Sequence, residues 1–226
     1  MRKLVSIVSL MFICCFAGAQ NISFSSPNAE SQKLLDSIKY VLPEFASGMV
    51  LFSNGQQSHG ALNINTIDQR VHFIDSKGAV LALTDNDKVS KVFIKGRTFM
   101  KNRNGYIEVL ESTDDIVMGV YRSVSFLSED KEGAFGSKSQ TSSIQTVNAV
   151  QSDGYMIDFE KNRNSPYIYK QVPYVCRKGL FYPVSKKVLY KCFPNKKEAI
   201  DKYIDENKVN MGNVAEVRKM FKAINQ

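Results

Sequence analysis

From Gly48 to Phe126 the chain repeats one cadence: a short run rich in Val, Ile and Phe, then a turn signal. GMVLF is followed by Ser53-Asn54-Gly55. HGALNIN and RVHFI flank a polar turn near Asp68. Asp75-Ser76-Lys77-Gly78 joins RVHFI to AVLALT, Lys95-Gly96 joins KVFI to RTFM, and Asn102-Arg103-Asn104-Gly105 joins RTFM to YIEVL. Ser112 to Asp115 then leads into IVMGVYRSVSF. Asn-Gly and related pairs supply the positive φ angles of tight hairpins. Strands at this spacing predict a mainly β fold with some helix, its body an antiparallel β-sandwich or barrel-like sheet. A turn centred near 67–68 sets His72 opposite Asn63 and away from His59. Apolar residues fall on both faces of RVHFI and YIEVL, so some strands are expected to be buried on both sides. The strands are too short for an outer-membrane barrel.

Helical periodicity appears only at the two ends of the expected mature chain. In residues 28–42, Leu34, Leu35, Ile38, Val41 and Leu42 share a stripe, Asn28 or Ser31 can cap it, and Pro43 ends it. Near the C-terminus, Ser185 can cap KKVLYKCF and Asn195 can cap a helix carrying Ala199, Ile200, Tyr203 and Ile204. Asn213 with Glu216 resembles a capping box opening a third helix with Val214, Val217, Phe221 and Ile224. Residues 131–143 are polar and read as a flexible loop. Strands resume with SIQTVNAV, GYMIDFE and PYIYKQVPYVC.

The first twenty residues point to export. Arg2 and Lys3 precede a largely apolar run of thirteen residues, Leu4 to Phe16, and Ala17-Gly18-Ala19 supplies an A-x-A cleavage pattern. Residues 1–19 read as a secretory signal that takes Cys14 and Cys15 with it, leaving a mature chain that does not span a membrane. The expected layout is a helix-plus-β body over 20–183 and a basic helical segment over 184–226. Loss of Arg2 and Lys3 takes the formal charge from +8 to +6. That charge is uneven: residues 20–169 carry a net −2 and residues 170–226 a net +8.

With these runs in view, the chain resembles a family of exported Bacteroidetes proteins of unknown activity. GMVLFSNGQQSHGALNINTIDQRVHFIDSKGAVLALT, KVFIKGRTFM, YIEVL, GAFGSKSQTSS and YPVSKKVLYKCFPNKKEAIDKYIDENKVN carry the likeness in order. The resemblance implies export, a β-rich body and a helical end. It brings no catalytic residue.

Motifs for chemistry are weak. There is no G-x-S-x-G, and Ser128-Glu129-Asp130-Lys131 matches S-x-x-K without its companion motifs. His59 and His72 lack ligand-spaced partners, so a zinc site is not expected. Asp85-Asn86-Asp87 lacks the glycine and glutamate of a calcium loop, with Ser90 and Gly96 in their places. Asp114-Asp115 reads as a solvated turn pair. No phosphate loop or dinucleotide fingerprint occurs. No catalytic residue, metal ligand or cofactor is therefore assigned. The enzyme reading survives only as a site assembled from dispersed residues.

The leading expectation is a non-catalytic module of the periplasm or cell envelope that binds or scaffolds a partner. Lys186, Lys187, Lys191, Lys196 and Lys197 are the candidate polyanion contacts of the alternative, in which the basic helices and strand tyrosines (Tyr155, Tyr167, Tyr169, Tyr174, Tyr182) bind an acidic glycan or envelope component. Solvated helix faces explain the same lysines. In an exported chain nucleic acid is not an expected partner.

Cys176 and Cys192 are the only cysteines left after signal removal. Their spacing is far from C-x-x-C and no further ligands stand nearby, so redox catalysis and zinc are disfavoured. A strand ending at Cys176 and a helix carrying Cys192 beside Val188 can aim both sulfurs into one interface. The expectation is a disulfide closing a loop worth about 3 kcal/mol in the chain-entropy account. Two buried free thiols are the alternative.

Overall fold

A computed structural model describes residues 22–24, 28–113, 115–126 and 165–225. The signal segment, the loop over 131–143, the runs SIQTVNAV and GYMIDFE, and Ser128 to Lys131 lie outside the described residues. The fold is mainly antiparallel β, with a short N-terminal helix and a helical C-terminal end.

Among the described residues, eleven strands form one sheet. They are β1 (Ile22–Phe24), β2 (Ala46–Phe52), β3 (Gln57–Ile64), β4 (Val71–Ile74), β5 (Val80–Ala82), β6 (Val89–Ile94), β7 (Arg97–Asn102), β8 (Gly105–Ser112), β9 (Ile116–Phe126), β10 (Tyr167–Arg177) and β11 (Leu180–Pro183). The order is β1-β10-β9-β8-β7-β6-β2-β3-β4-β5, with β11 on β10. Each run of the sequence cadence became a strand, and His72 does pair with Asn63. Two meanders, β2–β5 and β6–β11, are joined because β6 returns past β5 to pair with β2. Among the described residues, that crossover leaves β5 as one edge, and the sheet is open and does not close into a barrel. Both-face burial occurs at Val71 and His72 and at Tyr106, Ile107 and Glu108.

α1 (Ala29–Ile38) uses both expected cap residues. The Asn28 side chain accepts from Ser31 N–H at 2.7 Å, and Ser31 Oγ accepts from Asn28 N–H at 3.0 Å. The helix stops four residues before Leu42 because β3 recruits the next segment. Fully buried Asn63 accepts from Leu42 N–H and donates to Leu42 O and Glu44 O, and Val41 N–H donates to Ile64 O. These bonds satisfy backbone groups that continued helix would have needed. The same region bends the sheet onto itself. Val124 N–H donates to Thr66 O at 2.9 Å, and Gln69 Nε2 donates to Arg122 O at 2.9 Å. The β3–β4 turn thereby touches β9 across the curl, and Leu35 of α1 packs with Val124, Tyr167 and Tyr169.

The C-terminal helices are α2 (Lys186–Cys192), α3 (Lys197–Asn207) and α4 (Val214–Ile224). Ser185 caps α2 and Asn213 caps α4, as expected. Asn195 does not cap α3: a one-turn 3₁₀ segment, Pro194–Lys196, intervenes and Lys196 takes the cap position. Leu189, Ile200, Val217, Met220 and Phe221 cover Ile116, Met118 and Val175 of the sheet. Residues alternate faces along a strand, so Ile116, Met118, Val120, Arg122 and Val124 of β9 share one face. α1 covers one end of that face and the C-terminal helices cover the other.

Between the two covers sits a carboxylate. Glu108 of β8 accepts two bonds from Arg97 of β7, at 2.5 and 2.6 Å, and another from Arg122 of β9. Its side chain is 8% exposed. Burial alone would raise this carboxyl; the Arg97 bonds and the Arg122 charge outweigh it and hold it below the ordinary carboxylate value. A depressed folded-state pKa adds stability that is complete above the ordinary value of 4.5 and fades as pH falls through the lowered one. Glu108→Gln leaves two arginines uncompensated and is expected to cost about 3 kcal/mol. Urea unfolding at neutral pH reads that loss. Repeated in acid, it should show the wild type falling more than the variant.

Candidate functional site

β10 and β11 meet in a two-residue turn at Lys178-Gly179, with φ of 52° and 77°. Positive φ at both central residues gives the twist a hairpin needs. The signal is a Lys-Gly pair like Lys95-Gly96 upstream. After β11, Val184 N–H donates to Pro173 O, and Ser185 Oγ accepts from Val188 N–H. The chain thus turns directly from the hairpin into α2. Arg177 leans across and donates through Nη1 to Lys191 O. That carbonyl lies in the last turn of α2, where intrahelical donors run out.

The hairpin and α2 enclose a groove of about 310 Å³, lined by Arg177, Lys178, Leu180, Tyr182, Val188, Lys191 and Cys192. Three of the seven are cations and none is a carboxylate. Leu180 is 60% exposed and Tyr182 42% exposed, both on the four-residue edge strand. One wall is therefore apolar and open, and the rim is positive.

Only one of the five lysines singled out from sequence, Lys191, lines the groove. Lys186 Nζ pairs with Asp201 at 2.7 Å, and Asp201 also accepts from Tyr190. The Asp201 hydrogen bond raises the Lys186 ammonium pKa. Lys196 Nζ donates to Ile224 O and Asn225 Oδ1, tying the end of α4 to the start of α3. Lys197 stands 5.9 Å from the Tyr190 ring centroid, and Lys187 is exposed. Arg218 and Lys222 both pair with Glu111. Arg177 and Lys178, which sequence reasoning passed over, supply the rest of the groove's charge. They lie on the hairpin, not on the basic helices.

Cys176 and Cys192 are both buried and free and do not stand at disulfide distance, so the expected disulfide is not formed here. They do not share one interface: Cys192 packs in the helical core with Val175, whereas Cys176, the next residue along β10, falls on the other face of the sheet. Burial pushes both thiols up; Arg177 partly offsets this at Cys192, and a hydrogen bond from the Gly179 backbone does so at Cys176. Both stay protonated at neutral pH, the opposite of an activated nucleophile. Of the strand tyrosines, Tyr167 and Tyr169 are buried, Tyr174 is half-buried against Tyr121, and Tyr182 is open to a ligand. Tyr155 lies outside the described residues.

The histidines are apart. His59 is exposed opposite Met49. His72 is 3% exposed and bridges Tyr40 Oη at 3.1 Å and Asp68 Oδ2 at 2.8 Å. This buried Tyr–His–Asp chain fastens the exit of α1 to the β3–β4 turn. Asn86, from the Asp85-Asn86-Asp87 run, is buried and accepts from Tyr106 Oη at 2.6 Å and from Val71 N–H, so its side chain is structural. Among the described residues no group of three His, Cys, Asp or Glu is placed to hold a metal ion, and no helix is long and apolar enough to cross a membrane.

Comparison of the chain with protein-family models, with curated proteins and with solved structures finds no match.

Proposed function

We propose that the chain is an exported, non-catalytic module of the cell envelope that binds an anionic ligand at the groove between the β10–β11 hairpin and α2. The observation that carries this reading is that Arg177, Lys178 and Lys191 line one cavity, with no carboxylate among the described lining residues. Export rests on the N-terminal pattern and on the likeness to exported Bacteroidetes proteins. The alternative, a polyanion or acidic glycan lying along the basic helices, draws on Lys187, Lys191 and Lys197. Against it stand Lys186 and Lys196, which already have partners inside the fold.

The test is the fluorescence of anilinonaphthalene sulfonate with the purified chain. Binding is expected at low salt, weakening as salt shortens the Debye length. Lys178→Glu and Lys191→Glu are each expected to weaken it about tenfold. No binding at low salt, or binding indifferent to both variants, removes the reading.

The Cys176–Cys192 staple belongs to the same proposal. The two sulfurs are not within bonding reach, so in an oxidising compartment closing it would require β10 or α2 to shift before the bond ties them together. Intact mass of the exported chain, denatured and alkylated without reductant, reads it directly. An unshifted mass is expected, and two added alkyl groups would discard the staple.

A further inference from the structure

We infer that the groove holds a single-chain amphiphile with an anionic head, such as a medium-chain carboxylate, rather than a polymer. This rests on the anion-binding reading above and adds the tail. The polarity of the walls is the first argument. Arg177, Lys178 and Lys191 provide the charge, while Leu180, Tyr182, Val188 and Cys192 offer an apolar surface beside it. A ligand that satisfies both must carry an anionic end and a hydrocarbon part. A sugar polymer has no use for Leu180, which stands 60% exposed.

Size is the second argument. At roughly 30 Å³ for a water-sized group, a cavity of 310 Å³ takes about ten such groups. That is a carboxylate with roughly eight carbons inside the groove, a longer single chain extending past exposed Leu180, and too little for a two-tailed lipid. Continuity is the third. A polymer needs cations in a track, and the neighbouring Lys186 and Lys196 are held by Asp201 and by the end of α4. The available charge is the three cations that line this short, partly apolar groove. Arg177 is also oriented: one guanidinium nitrogen is fixed on Lys191 O, which leaves its other donors for a carboxylate fork.

Calorimetric titration with monomeric dodecanoate tests this, with butanoate, a neutral dodecyl ether and vesicles of anionic phospholipid as comparisons. Dodecanoate is expected to saturate one site per chain and to slow alkylation of Cys192 in the reduced protein. Butanoate and the neutral ether should each bind at least about tenfold more weakly. Leu180→Asp and Lys191→Glu alter exposed side chains, so both should keep the wild-type melting profile, and each should weaken dodecanoate about tenfold. Equal binding of butanoate, or dodecanoate binding unmoved by Leu180→Asp, overturns the tail while leaving an anion site standing. Binding to vesicles without binding to monomeric dodecanoate makes the face a lipid-surface contact and also overturns the inference. If dodecanoate and anilinonaphthalene sulfonate both fail at low salt, the anion site falls with it.

Discussion

A carboxylate buried on the face of a sheet cannot be left alone. Glu108 has Phe99 opposite it on β7 and Val120 opposite it on β9, and both neighbours are apolar and buried. Its charge is tolerable only because Arg97 and Arg122 reach it from those same two strands. The three side chains therefore hold β7, β8 and β9 in one register. A slip of one residue would turn Glu108 to the opposite face and strand both arginines. Such a triad is weak evidence for extra stability, since a hydrophobic trio can pack as well. Its clearer effect is on specificity, because it penalises the wrong pairing in a sheet of otherwise interchangeable Val and Ile runs.

The rest of the molecule is arranged around that triad. β9 and β10 pair without interruption over eleven residues each. One half of their shared face lies under α1, the other under the C-terminal helices, and the arginine–glutamate cluster occupies the gap between. Gly119 shows how tight the layer is. A Cβ there would lie 2.4 Å from Glu108 O and 2.5 Å from Ile107 Cγ2. β10 then runs on past the covered face into the hairpin. The groove is thus built on a strand anchored along its length, with α2 held by Leu189 and Cys192 in the helical core. A ligand site on such elements keeps its geometry without help from a ligand.

The strands from β2 to β10 and their turns were legible because the information is local, whereas the short edge strands β1 and β11 were not read as strands. Period-two runs, Gly-containing turns and the Asn28, Ser185 and Asn213 caps each act within a few residues. What escaped was set by partners far along the chain. The stripe through Val41 and Leu42 is a sound helix signal, but Asn63 competes for those backbone groups from β3. Nothing near Asn195 shows that Pro194 would start a 3₁₀ turn instead of a capped helix. The return of β6 to β2, which keeps the sheet open, depends on the relative fit of two distant strands. Lys-Gly at 178–179 was readable as a hairpin; its importance was not, because the groove needs α2 on the other side.

The basic C-terminal segment illustrates the same limit in electrostatic terms. A net charge of +8 over 57 residues invites the picture of a uniform positive surface. Folding breaks that surface into unequal parts. Asp201 takes Lys186, Glu111 from β8 takes Arg218 and Lys222, and the end of α4 takes the head group of Lys196. Such pairs contribute little at the surface, yet they shorten the reach of the field because each cation already has a counter-charge or acceptors within a few ångströms. Arg177, Lys178 and Lys191 differ in lining one cavity with no carboxylate among its described lining residues. On the proposed reading, recognition through them would depend on the shape and polarity of one slot rather than on the total charge of the chain, and a ligand matched to the slot's apolar wall would gain burial that no increase in ligand charge can replace.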